Sequence, residues 1–149
     1  MHLADLKKAG VFGFTFHIDS KQGRPEWKKK NEIELNELRL HYAEMLGEAG
    51  NISCAFNSTV YEDTMKYIPE MTKWAHEHID IVHVMVFILY RAVNNKQVDY
   101  YIGPKKIDMG EFVYNEDVPT RTDIFAPEIV ELIKTEYPGF EPCAEWKSS

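Results

Sequence analysis

The chain has 149 residues, 44% of them hydrophobic and 13% aromatic, which suits one domain with a real core and argues against disorder. A formal net charge of −7 argues against nonspecific binding to nucleic acid backbone, which needs clustered lysines and arginines. Two cysteines, Cys54 and Cys143, in no metal-type spacing exclude a zinc ribbon, a cluster loop within this chain and a disulfide framework.

The one basic run, Lys28-Lys29-Lys30, opens an acidic helix and reads as a solvated loop. A cytoplasmic setting is the default. No apolar run approaches the ~18 residues of a membrane span, and the start has no basic-then-apolar signal layout.

In chain order, residues 2–9 read as the end of a helix, with Leu3 and Leu6 apolar, Lys7 and Lys8 in the last turn and Gly10 as the stop. A helix this short has no preceding strand, so it reads as a truncated βα unit. Residues 11–19 alternate with a period of two: Phe12, Phe14, Phe16 and Ile18 on one side, Thr15, His17 and Asp19 on the other. This strand leads into Ser20-Lys21-Gln22-Gly23-Arg24-Pro25, a loop rich in groups that bind anions or carboxylates.

Leu35, Leu38, Tyr42, Met45 and Ala49 recur at intervals of three and four, predicting a helix over 31–49 that Gly50 ends. Glu32, Glu34 and Glu37 suit its positive end. A second strand, Ile52 to Thr59, repeats the logic of the first. Ile52, Cys54 and Phe56 face one way; Ser53, Ala55, Asn57 and Thr59 face the other. A helical run over 60–78 contains Pro69, which kinks it or starts its second part. The third strand, 80–90, is almost continuously apolar and is expected to be buried on both faces. Beyond Arg91 a turn at 94–96, short strands at 98–102 and 111–114 and a helix over 125–137 are expected; the last residues give no element.

Strand, helix, strand, helix, strand at these lengths means right-handed parallel crossovers in an α/β fold, consecutive units of a doubly wound sheet or a βα barrel over residues 11–91. In both of the first two strands one face is small or polar and the other large and apolar. That favours part of a (β/α) barrel, with the polar faces lining the interior and the apolar faces beneath the helices. Residues 1–92 form this partial barrel, and 93–149 form a C-terminal extension of unassigned role.

Ligands of such folds sit at the C-terminal ends of the strands. His17, Asp19, Asn57 and Thr59 are therefore the candidate ligand-binding set, with Lys21, Arg24 and Arg91 beyond them as substrate-binding candidates. The bland alternative is a polar network that satisfies only itself. His17 and Asp19 are too few for a metal site. His83 reads as a satisfied core histidine, and His76 and His78 as surface residues. No Ser-His-Asp arrangement, dinucleotide fingerprint or phosphate-binding loop is present.

The stretch Gly10-Val11-Phe12-Gly13-Phe14-Thr15-Phe16-His17-Ile18-Asp19-Ser20 resembles the mid-barrel strand of radical S-adenosylmethionine (SAM) enzymes, where a strand ending in Asp-Ser or Asp-Gly contacts the cofactor. Ile52 to Thr59, followed by Tyr67-Ile68-Pro69-Glu70, resembles the next βα unit, and Asp80 to Arg91 the strand after it. The resemblance implies the later half of a TIM-like barrel, a half-barrel fragment. His17 and Asp19 would then meet the methionine amino group or ribose of SAM, Asn57 and Thr59 its carboxylate or ribose, and the backbone of 86–88 its adenine. The family's Cys-x-x-x-Cys-x-x-Cys motif for a 4Fe-4S iron-sulfur cluster is absent, so the chain alone is expected to be inactive. The substrate, small molecule or peptide, is unassigned, and exposed strand edges imply self-association. Two other readings stand beside this one: an enzyme of another βα barrel class using His17 and Asp19 directly, or a noncatalytic module binding a ligand or partner.

Overall fold

The alternation of the first strand is realised as β1 (Gly13–His17), in a computed structural model that describes residues 3–50, 52–90, 99–107 and 124–142. β1 pairs in parallel with β2 (Ser53–Val60), and β2 pairs in parallel with β3 (Val84–Leu89), giving a sheet in the order β1-β2-β3. The register sets Thr15 beside Ala55 and His17 beside Asn57; on the other side of β2, Asn57 meets Val86 and Thr59 meets Ile88. Like positions thus share a face across all three strands.

One face carries Phe14, Phe16, Cys54, Phe56 and Met85, and the core is built on it. Leu38, Ala43 and Leu46 of α2 (Asn36–Ala49) and Trp74 and Ala75 of α3 (Ile68–Glu77) pack there. The ring of Phe16 stacks on Tyr42 at 4.6 Å, and Phe56 meets the edge of Trp74 at 6.1 Å. Both helices lie on one side because both crossovers step the same way along the sheet with the same hand. A short α1 (Leu3–Lys8) is tied to the end of α2 by Lys7 Nζ donating to Ala49 O at 2.9 Å.

The opposite face carries Thr15, His17, Ala55, Asn57, Thr59, Val84, Val86 and Ile88, and no described helix packs on it. The expectation that the third strand is buried on both faces is therefore wrong. Met85, Phe87 and Leu89 turn toward the helices, while Val84, Val86 and Ile88 are 48%, 38% and 40% exposed. Two-sided burial needs a layer on each face, and every described helix is on one.

Element ends follow local chemistry. Regular α2 starts at Asn36, five residues after the predicted start, yet a hydrogen-bonded turn does begin at Asn31, where Leu35 N donates to Asn31 O at 3.0 Å. Asn31 Oδ1 accepts from Ile33 N and Glu34 N, and Glu34 Oε2 accepts from Asn31 N at 2.9 Å, a reciprocal capping box. That backbone bond, with the Lys30 ammonium, holds the Glu34 carboxyl below its ordinary value. Pro69 sits in the first turn of α3, so it starts the helix rather than kinking it.

The helix expected over 125–137 is α4 (Ala126–Glu136), whose Ile129 and Ile133 pack with Ile68 and Val60. The short strand of 98–102 is β4 (Tyr100–Ile102), and it pairs antiparallel with β5 (Lys105–Ile107), a strand the sequence pattern did not announce. The turn at 94–96 and the strand at 111–114 lie outside the described residues. Among the described residues no helix is long and apolar enough to cross a membrane.

Candidate functional site at the strand ends

His17 ends β1 on the open face, and the chain continues extended through Asp19 (φ −144, ψ 165), preserving the alternation. Asp19 then caps the turn Ser20–Gln22, its Oδ1 accepting from Lys21 N at 3.1 Å. Gly23, at φ +58, closes that turn in the left-handed region, where a side chain is strained. The other oxygen, Oδ2, lies 2.7 Å from His17 Nε2 and accepts from Thr59 N at 3.4 Å. His17 Nε2 is also 3.1 Å from Thr59 Oγ1.

A carboxylate can only accept, so this pattern assigns the proton of neutral His17 to Nε2 and leaves the lone pair on Nδ1. Nδ1 has no hydrogen bond among the described residues. The Asp19 side chain is 4% exposed and that of His17 40%. A dry carboxylate thus braces a wet imidazole, an arrangement suited to exchanging a proton or a hydrogen bond with a bound molecule.

Of the four predicted ligand-binding residues, His17, Asp19 and Thr59 form one hydrogen-bonded cluster. Asn57 lies beside His17 in the register, and its side chain makes no hydrogen bond among the described residues. Lys21 and Arg24 are partly committed elsewhere. Lys21 Nζ pairs with Asp63 at 2.7 Å and lies 5.5 Å from the centre of the Tyr61 ring, which itself contacts Tyr90 at 4.7 Å. Arg24 donates from Nη2 to His17 O at 2.7 Å and from Nε to Gln22 Oε1 at 2.9 Å, so it fastens the loop back onto the end of β1. Arg91 lies outside the described residues.

Among the described residues, His17 Nδ1 and the Asn57 side-chain amide make no hydrogen bond and are open to a ligand. An iron–sulfur cluster finds no such fit. Cys54 is buried on the helix side of the sheet, where burial pushes its thiol up to about 11 and disfavours the thiolate a metal needs. Cys143 is outside the described residues, and among these no group of three or more metal-ligating side chains exists.

No protein-family model matches the chain, and no curated protein or solved structure does either.

His83 is exposed rather than in the core, because it precedes β3 at the edge of the sheet; its Nδ1 accepts from Cys54 N at 3.1 Å. Glu32, Arg39 and Ser58, behind the site, were not singled out from sequence. By its place in the sequence Glu32 only suits the positive end of the helix, yet it is 1% exposed and paired with Arg39, which is 0% exposed, at 2.8 Å. Two signals were available. Ser58 interrupts the apolar face of Cys54, Phe56 and Val60, and Arg39 stands four residues from Leu35 on the buried side of the helix.

Proposed function

We propose that the chain is the later half of a radical SAM barrel and supplies strands that contact SAM and the substrate. The observation that carries this reading is the convergence of His17, Asp19 and Thr59 at the C-terminal ends of adjacent parallel strands, on the face the helices leave open. In this reading His17 Nδ1 and the Asn57 amide bond the amino, carboxylate or ribose groups of SAM, and Asp19 holds His17 in register. The backbone of 86–88 flanks the adenine, and Lys21, Arg24 and Arg91 lie toward the substrate. SAM bound to a 4Fe-4S cluster is a source of organic radicals, but the cluster ligands are not in this sequence. The chain alone is therefore inactive.

Two measurements test the proposal. The reading frame upstream should encode Cys-x-x-x-Cys-x-x-Cys within ~100 residues of Met1, as a barrel of ordinary size requires. In the completed barrel, Asp19→Ala and Asn57→Ala should each weaken SAM binding by about 1–3 kcal/mol in titration calorimetry. The double variant should lose less than the sum, since the two residues serve one ligand. Unchanged affinity in all three variants would leave the polar faces with a structural role only.

A second reading is favoured by the Asp19–His17 pairing itself. An unrelated βα barrel enzyme could use His17 as a general base, with Asp19 orienting the ring. Binding of SAM separates the two readings.

A further inference from the structure

We infer that the buried Glu32–Arg39 pair is a positioning device for the His17–Asp19 dyad, gripping the peptide groups on both sides of Asp19. Arg39 Nη2 donates to Ile18 O, the carbonyl of the peptide entering Asp19, at 2.9 Å. Glu32 Oε1 accepts from Ser20 N, the amide of the peptide leaving Asp19, at 2.7 Å. The two ions hold each other through Arg39 Nη2 and Glu32 Oε2 at 2.8 Å. They are held in turn by Arg39 Nη1 on Glu32 O and Asn36 Oδ1, both at 2.7 Å, and by Ser58 Oγ donating to Glu32 Oε2 at 3.2 Å.

With both flanking peptides fixed, the backbone dihedrals of Asp19 are fixed as well. Alternation then sends its side chain to the opposite face of the chain, where His17 Nε2 and Thr59 N meet it. Ile18 is 0% exposed and Asp19 5%, so this segment is also packed in place.

Stability alone does not account for the pair. Burying two charges is costly, and well-packed apolar residues of similar volume often serve as well or better. Burial pulls the Arg39 guanidinium below its ordinary value, against which Glu32 and then Asp19 act, and Arg39 Nε has no hydrogen-bond partner among the described residues. What an apolar pair cannot do is bond a peptide carbonyl and a peptide amide two residues apart. Glu32 and Arg39 do both.

The inference rests on His17 and Asp19 being the working pair, not on SAM being the ligand, so it is tested on the ligand-free chain. Long-range proton–nitrogen correlation on histidine-labelled protein reports which imidazole nitrogen carries the proton, with the His17 signals assigned through His17→Gln. The native chain should show the Nε2–H form of His17, and Asp19→Ala should shift the ratio toward that of free histidine. The double variant Glu32→Leu/Arg39→Met, verified as folded by circular dichroism and cooperative unfolding, should move most of the way to the Asp19→Ala ratio. Arg39→Lys keeps the charge but has one nitrogen where Arg39 uses two, Nη2 on Ile18 O and Glu32 Oε2 and Nη1 on Glu32 O and Asn36 Oδ1, so it cannot hold all four acceptors, and it should move part of the way. A native ratio in the folded double variant overturns the inference. If that variant does not fold, a native ratio in Arg39→Lys overturns it instead. Absence of the Nε2–H form in the native chain overturns it outright. SAM calorimetry is a separate readout, so failure of the SAM reading leaves this result standing.

Discussion

Cys54 shows how burial alone decides what a reactive side chain can do. It lies on β2 beneath the helices with no exposed surface, and burial raises its thiol to about 11 from an ordinary 9.0. At neutral pH it is a small apolar filler. In the unfolded chain the thiol loses its proton near pH 9, while in the folded chain it keeps it to about pH 11, so stability is full below pH 9 and falls as pH rises through that window. The expected loss is about 2–3 kcal/mol, measured as a falling urea midpoint. Cys54→Val should remove that part of the alkaline decline, and an identical decline in the variant would rule the thiol out as its cause. The polar cluster on the opposite face is governed by pairing instead. His17 and Asp19 were legible because they stand two apart on one strand. The bond to Thr59 was less so, since it depends on which residue of β2 falls beside which residue of β1, and the register enters only through contacts some 40 residues apart, as between His17 and Thr59.

Elements were legible where a local signal marks them: the spacing of Leu35, Leu38, Tyr42, Met45 and Ala49 marks α2, and Pro69 opens α3. The Asn31–Glu34 capping box, which was not singled out from sequence, holds the first turn leading into α2. Asn31→Ala removes the acceptor for two backbone amides and should cost about 1 kcal/mol, or about 2–4 °C of melting temperature in calorimetry. No change would mean that packing of Leu35 and Leu38 alone sets the start of the helix. The third strand was misread for the opposite reason. Val84 to Leu89 is apolar at every position, so its composition carries no alternation to show which face is covered. The number of layers around a strand is a property of the other elements. Ser58, Glu32 and Arg39 were hidden in the same way, because a polar network made by a strand, a loop and a helix has no period in any one of them.

At the scale of the molecule, the three-stranded sheet has helices on one face and exposed valine and isoleucine on the other, with β1 and β3 as its edge strands. Open edges and the exposed apolar row of β3 favour pairing with further chains. The isolated chain is therefore expected to self-associate, giving a light-scattering mass above 17.4 kDa. Val86→Lys together with Ile88→Lys should shift the mass toward the monomer, since both side chains lie on the open face. A monodisperse native monomer that unfolds cooperatively would refute this. The parallel order and the one-sided helices agree with a partial barrel, and they are equally those of any stretch of consecutive βα units wound one way.

The strand order also governs when each part of the sheet can form. Because the spatial order β1-β2-β3 is the order of synthesis, every strand emerges from the ribosome with its earlier neighbour already made. β2 can dock as soon as α2 has closed over the first crossover, and β3 adds to an edge that is waiting for it. None of the described strands of this sheet has to be inserted between two others, so no early pairing among them has to be undone. Of the two crossovers, Gly13 to Ser53 spans more residues than Ala55 to Val84 and is the costlier closure in chain entropy, and β3 then lengthens a template that is already in place.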